Sequence, residues 1–384
     1  MRIVKLKDVA KITTGKTPRT SDNGNFSGVI PFVKPPDLGS SIPVTTTSEY
    51  LSEQGANSIS VIPKDSIMVC CIGSLGKVGI AGQDLATNQQ INSLTFDPKL
   101  VDYKFGYYFS LTLKEKLDQM AHSAVVPIVN KTSFSNLDFV LIPIEEQKLI
   151  VRKLDVADAL RQKRKQAMAL LDNYLKAVFL EMFGDDLENG SDELRKYLRV
   201  VGGGAFKSTD FQEIGVPVIK IGTVNKGFFD LHNCSFLPLD FLKDKKNEKY
   251  IIFPGDLLIS LTGTVGKEDY GNVCFATSEY SQYLLNQRVA KLDFDENMLT
   301  KEFLFFFFKA EKIKSQLTSI SRGVRQANIS NEDILSLKIA LPPLAMQRKF
   351  SELAKKMTLV HLAMTVQAAQ IQRNFDTLMQ KAFN

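Results

Sequence analysis

The chain has 384 residues, and at roughly 150 residues per domain that length implies two or three domains. Hydrophobic residues make up 44% and charged residues 23%, as in an ordinary globular protein, which excludes wholesale disorder and collagen-like repetition. A formal net charge of +6 leans toward a polyanionic partner without deciding one.

Residues 1–8 contain no apolar core of the kind that heads a secretory signal, so a cytoplasmic location is expected. Residues 1–142 read as a mixed domain of short apolar runs broken by Gly, Pro and Asn. The run 66–72 has the pattern of a buried strand ending at a glycine turn, and 103–120 that of an aromatic-rich helix. Pro143 sits where proline fits the first turn of a helix, and 143–184 reads as a long spacer helix. Its apolar positions include Ile150, Leu154, Ala157, Met168, Leu171, Leu175, Val178 and Met182, at heptad spacing, with Gly184 placed to stop it. Residues 185–341 form a second mixed domain, with a buried strand at 256–261 and an aromatic helix at 301–317. Gly202, Gly203 and Gly204 read as a flexible loop, and Asp293, Asp295 and Glu296 as the solvated end of a strand. Residues 342–384 form a second spacer helix, with Phe350, Leu353, Met357, Val360, Met364, Ile371 and Leu378 in the same rhythm. Neither helix could bury its stripe alone, so the two are expected to pack on each other, antiparallel.

The chain is written twice, with a period of roughly 190 to 200 residues. Ile-Pro-Phe-Val-Lys at 30–34 matches Val-Pro-Val-Ile-Lys at 216–220. Gly-Ser-Leu-Gly-Lys at 73–77 matches Gly-Thr-Val-Gly-Lys at 263–267. Asn-Gln-Gln-Ile at 88–91 matches Asn-Gln-Arg-Val at 286–289, and Leu-Ile-Pro-Ile-Glu-Glu-Gln at 141–147 matches Leu-Pro-Pro-Leu-Ala-Met-Gln at 341–347. The order is kept throughout.

Little points to catalysis. Cys70, Cys71, Cys234 and Cys274 include no CxxC pair, and three histidines are scant material for a metal or His-based centre. The Gly-x-x-Gly-Lys turns at Gly73 and Gly263 have two residues between glycines where a P-loop has four, and Val78 or Glu268 follows instead of Ser or Thr. They read as tight turns between strands, in which Ser74, Thr264, Lys77 and Lys267 are available to hold anions. The Pro35–Pro36 and Pro342–Pro343 pairs lack the aromatic follower of a base-flipping amino-methyltransferase.

The Pro-Ile-Glu-Glu-Gln start of a long helix, its ending in Phe-Leu-Glu-Met-Phe-Gly at 179–184, and the duplication of the whole arrangement resemble a type I restriction-modification specificity (S) subunit, over essentially the entire chain. Gly15 followed by Thr17 and Pro18, then Ile30 to Val33 with Asp37 nearby, is similar to the opening of that family's target recognition domains, as is the Asn88–Gln89 turn. The second helix departs from the pattern, lacking a counterpart of the acidic pair Glu145 and Glu146. The resemblance implies an α+β fold. Two similar mixed α/β target recognition domains would be separated by two long antiparallel coiled-coil helices, with pseudo-two-fold symmetry. It further implies a non-catalytic, sequence-specific binder of double-stranded DNA. Each domain would read one half of a bipartite site, and the helices would set the spacing and dock two modification (methyltransferase) subunits, with restriction subunits attached through them. S-adenosylmethionine, ATP and Mg would serve those partners, and this chain would hold no cofactor or metal. The rival readings are the recognition subunit of another restriction-modification type, and a coiled-coil scaffold with two ligand domains.

DNA readout needs cations for phosphates and Arg, Asn or Gln for base edges. In the first half the further candidates are Lys16, Thr17, Arg19, Thr20, Lys34, Asn88, Gln89, Gln90 and Lys131. In the second they are Lys207, Lys220, Asn286, Gln287, Arg288, Arg322, Arg325 and Gln326, with the segment 319–328 favoured for its two arginines and a glutamine in an apparent loop. Asn88 and Asn286 also suit a turn. The basic run 161–165 reads as a solvated helix face, or as one that passes over phosphates.

Overall fold

A computed structural model describes residues 2–121, 126–232, 234–264, 269–320 and 326–383. The chain divides into two compact units, Met1–Gln166 with Met364–Asn384, and Ala167–Ala363.

Unit 1 runs β1 (Arg2–Lys5), α1 (Leu6–Val9), β2 (Ala10–Thr14), β3 (Phe26–Val33), β4 (Tyr50–Leu51), α2 (Glu53–Asn57), β5 (Val61–Ile62), β6 (Ile67–Cys70), β7 (Val78–Ile80), β8 (Leu85–Thr87) and β9 (Ile91–Phe96). Then come α3 (Tyr103–Leu111), α4 (Lys114–Met120), α5 (Lys131–Ser135), β10 (Asp138–Leu141) and the long α6 (Ile144–Glu188), which continues into unit 2. The strands make two four-stranded sheets, in the orders β2-β9-β6-β7 and β4-β3-β8-β5. β1 pairs with β10 and closes the unit beside the start of α6.

Unit 2 repeats the plan with β11 (Asp192–Glu193), β12 (Leu198–Gly202), β13 (Val216–Ile219), α7 (Ile221–Val224), β14 (Ser235–Leu237), β15 (Ile251–Ile252), β16 (Leu257–Ser260), β17 (Thr262–Thr264), β18 (Val273–Phe275), β19 (Tyr283–Leu285) and β20 (Val289–Phe294). α8 (Lys301–Lys309), α9 (Glu311–Ile320), β21 (Gln326–Asn328), α10 (Asn331–Leu335), β22 (Lys338–Ile339) and α11 (Leu344–Phe383) follow. Its sheets, β12-β20-β16-β18 and β14-β13-β19-β15, match those of unit 1 strand for strand, and β11 pairs with β22 as β1 does with β10. The duplication is therefore one of topology as well as of motif.

The aromatic helices form the cores. Phe105 and Phe109 pack edge-on against Phe139 in unit 1; Phe303, Phe307 and Phe308 are fully buried in unit 2. Each expected aromatic helix is in fact two. In the second, Ala310 is extended at ψ 134 and breaks the helix outright. In each unit a stretch of α6 lies antiparallel to a stretch of α11. In unit 1, Arg161 Nε donates to Gln372 Oε1 at 2.9 Å, its guanidinium stacks 4.2 Å from the Phe375 ring, and Leu154 shares a core with Met379. In unit 2, His361 faces Asp172 at 3.4 Å and Phe179 packs on Phe350 at 5.3 Å.

Four expectations need correction. Gly184 does not stop α6, which continues to Glu188; the position is helical, with open space around it. Val360 is 44% exposed, off the buried stripe. Arg161 belongs to no solvated face, because Asp158, Gln372 and Phe375 hold it. Gly202 to Gly204 are not a loop: Gly202 ends β12, and Gly204 bridges Asn286.

The shared glutamine of the two helix-start motifs has one role in both units. Gln147 Oε1 accepts from the Asp102 N–H at 2.9 Å, while its Nε2 donates to Leu100 O and Ile142 O, each at 2.8 Å. Gln347 repeats this with the Thr300 N–H (3.0 Å), Met298 O (3.1 Å) and Pro342 O (2.9 Å). A buried amide thus ties the strand-to-helix connection to the long helix.

Candidate nucleic-acid interface

In each unit a parallel strand pair delivers two loops to one edge. β3 and β8 are parallel (Val33↔Thr87), so Lys34 and Asn88 leave the sheet together. β13 and β19 are parallel (Ile219↔Leu285), so Lys220 and Asn286 do the same. The Asn88 N–H donates to Val33 O at 3.1 Å, and the Asn286 N–H to Ile219 O at 3.0 Å. The ends of β2 and β12 arrive at the same edge. Gly15 N–H donates to Ile91 O (2.9 Å) and Lys16 N–H to Thr87 O (2.9 Å); Gly203 N–H donates to Val289 O (3.1 Å) and Gly204 N–H to Leu285 O (2.8 Å). Only glycine fits this approach: a Cβ on Gly15 would lie 2.2 Å from Asn88 O, and one on Gly203 would lie 2.1 Å from Asn286 O. The segments after β6 and β16 complete the edge, the Cys71 N–H donating to Gln90 O at 2.7 Å and the Leu261 N–H to Arg288 O at 2.9 Å.

The candidates divide accordingly. In unit 1 the edge gathers Lys16, Thr17, Asn88, Gln89 and Gln90. Lys16 and Gln89 are exposed, and Thr17 Oγ1 donates to Gln89 Oε1 at 2.6 Å. Asn88 is buried and acts as a turn residue, its Oδ1 accepting from the Gln90 N–H at 3.1 Å. Ser74 and Lys77 are exposed on the adjoining turn, where Gly73 (φ 79) and Gly76 (φ 73) are left-handed as expected. Lys77 Nζ lies 3.4 Å from Pro35 O. Lys34 has its charge met by Glu49. Arg19 and Thr20 are exposed in a separate loop held by Asn25, whose Nδ2 donates to Arg19 O at 3.0 Å. Lys131 is exposed at the start of α5, behind its cap Asn130.

In unit 2 the edge gathers Asn286, Gln287 and Arg288, the last two exposed. Lys207 is exposed three residues beyond Gly204. Lys220 Nζ donates to Ser235 Oγ at 2.8 Å and sits 3.8 Å from the Phe211 ring centre. Gly263 is no turn glycine: it lies in β17, opposite Ala327 of β21, where a Cβ would meet Asp269 Oδ1 at 2.2 Å. Thr264 gives its N–H (2.6 Å) and its Oγ1 (3.0 Å) to Asp269. Gln326 is placed by its backbone in β21, opposite Thr264. Lys267, Arg322 and Arg325 lie outside the described residues, and so does the middle of the favoured segment.

Two features escaped sequence reasoning. Gly203 is the counterpart of Gly15, hidden because three consecutive glycines look like a linker. Lys243, Lys245, Lys246 and Lys249 are exposed just ahead of Tyr250, whose ring a Cβ on Gly204 would meet at 2.9 Å. Four lysines within seven residues was the available signal.

The side chains gathered at the two edges carry charge and hydrogen-bonding groups. Burial pushes the Cys71 and Cys274 thiols up to about 12, so neither supplies a thiolate. Among the described residues no group of three or more His, Cys, Asp or Glu is placed to hold a metal ion, and no helix is long and apolar enough to cross a membrane.

A family model described as the type I restriction modification DNA specificity domain matches residues 1–169 and again 198–360. The MjaVIII type I restriction enzyme specificity subunit of Methanocaldococcus jannaschii is 26% identical over 378 residues, covering 92% of this chain and 85% of that one. The EcoKI specificity subunit of Escherichia coli is 21% identical, covering 85% and 75%. Among solved structures, the type I restriction-modification S subunit from M. genitalium aligns over 100% of this chain and 96% of its own, at 15% identity and a TM-score of 0.59, a likeness of fold.

Proposed function

Because the chain belongs to the type I restriction-modification DNA specificity family, we propose that each of its units reads one half of a bipartite sequence in double-stranded DNA. The observation that carries this reading is the duplicated edge. Two units whose four-stranded sheets share one strand order converge the same loops around an Asn turn (Asn88, Asn286), with exposed cations such as Lys16 and Lys77 in unit 1 and Lys207 and Arg288 in unit 2. Lysines there neutralise phosphates, and the exposed Gln89, Gln287 and Arg288 offer hydrogen bonds to base edges. The gap between half-sites is set by the long helices.

The same helices supply the docking surface for modification subunits. In unit 1, Leu149, Val156 and Leu160 of α6 and Val366 of α11 are exposed; in unit 2, Leu170 and Leu180 of α6 and Leu359 and Leu362 of α11 are. Large aliphatic side chains left open on a helix at this density suit partner helices. Methyl transfer from S-adenosylmethionine and ATP- and Mg-dependent cleavage belong to the partners, and this chain contributes recognition alone.

The test is exchange. Replacing residues 1–140 by the corresponding domain of another family member, in the assembled complex, alters one half-site of the methylated sequence and leaves the other intact. Changes in both halves defeat modular reading. A log K against log salt slope near zero defeats DNA binding itself.

A further inference from the structure

We propose that Arg288 reads a guanine in the half-site of unit 2, an inference that rests on the duplex-reading function above. The two repeated turns differ at one position. In unit 1 the turn is closed on itself: Asn88 Oδ1 accepts from the Gln90 N–H (3.1 Å), Asn88 Nδ2 donates to Gln90 Oε1 (2.8 Å), and Gln90 Nε2 donates to Ile72 O (3.3 Å). Gln90 is spent inward. In unit 2 the matching residue is Arg288, and the closure is lost. Asn286 Oδ1 is buried with no hydrogen-bond partner among the described residues, and Arg288 takes the left-handed φ of 73. The Gln287 N–H is drawn instead to Gly204 O at 2.9 Å.

Both features are unfavourable, and unit 1 builds the same turn with Gln90 without either of them. The fold therefore does not account for the arginine. Its side chain is exposed and has no hydrogen bond, ion pair or ring contact among the described residues. It stands at the end of the parallel pair β13 and β19. A phosphate contact needs only a cation within reach, which Lys207 provides without strain. A strained, backbone-anchored turn does something a flexible lysine cannot: it aims a rigid planar fork. That fork matches the O6 and N7 acceptors of guanine in the major groove.

The experiment uses the full chain assembled with its modification subunits and selects bound duplexes from a random pool at two salt concentrations. R288Q is expected to lose discrimination at a single G·C pair of one half-site, roughly ten-fold or more, with the other half-site and the salt slope unchanged. R288K keeps the charge without the fork and gives the same loss, which covers a failure of R288Q to fold. R288G, which relieves the left-handed backbone, loses the same base preference with a raised melting temperature. Uniform weakening on all sequences with a salt slope smaller by about one indicates a phosphate contact and overturns the proposal. So does unchanged selection by these variants. A wild-type complex that selects no sequence overturns the duplex-reading function, and with it the role of Arg288.

Discussion

Gln147 is fully buried and makes three hydrogen bonds, whereas its motif neighbour Glu145 is exposed and pairs with Lys148 at 2.8 Å, i to i+3. Removing a buried partner strands the groups it satisfied, at about 1 to 3 kcal/mol each. Gln147→Leu therefore destabilises unit 1 by about 3 kcal/mol or more, while Glu145→Ala changes stability by less than about 0.5 kcal/mol. Urea unfolding of the two variants separates the effects; equal losses would mean that the acidic residue, not the amide, anchors the helix. The glutamine was visible in both motifs, but its role was not, because Leu100 and Asp102 precede it by some 45 residues. The same limit hid Glu49 beside Lys34 and Ser235 beside Lys220: a cation's partner across a sheet leaves no local trace. Asn88 was legible as a turn residue because an Asx turn is local, whereas the matching Asn286 Oδ1 makes no such bond among the described residues.

At the scale of elements, periodicity carried far. The long helices begin where Pro143 and Pro343 indicated, since a proline in the first turn followed by a heptad pattern over 40 positions is hard to mistake. Glycine misled in both directions. Gly184 looked like a stop, yet it sits within α6 with nothing inside 4 Å of a Cβ. Gly184→Ala should accordingly stabilise the protein by about 0.5 to 1 kcal/mol through helix propensity, read as a rise in melting temperature; a fall would place an unseen constraint on that turn. Gly203 and Gly263 looked like turn or linker residues and are instead close contacts in paired strands. The attachment of each aromatic helix to its long helix also differs between the repeats in a way composition concealed. Lys104 of α3 pairs with Asp155 of α6 at 2.6 Å, whereas Glu302 of α8 faces Lys355 of α11 at 3.7 Å, with the charges reversed. Unit 2 shows that the opposite polarity is tolerated at this junction. Lys104→Glu alone destabilises by about 1 kcal/mol, and adding Asp155→Lys restores most of it, because both groups of the pair are partly solvated. A double mutant no better than the single one would show that Tyr108, whose hydroxyl donates to Asp155 at 2.8 Å, is the interaction that counts.

For the whole molecule, the repeat was legible as ordered motifs, but the strand order was not. Strands of two to eight residues paired across long separations, as β1 is with β10, are specified by three-dimensional packing more than by local pattern. What the duplication does fix is a prediction about length. α6 is one uninterrupted helix of 45 residues and α11 one of 40, and a helix advances 1.5 Å per residue. Deleting one heptad from the middle of each keeps the apolar stripe in phase and removes about 10 Å, close to three base pairs of B-DNA. The recognised sequence should then retain both half-sites, with a gap about three base pairs shorter, as read from the methylation pattern of cells carrying the altered gene. An unchanged gap in a folded, active complex would mean that partner subunits, not the length of these helices, determine the spacing.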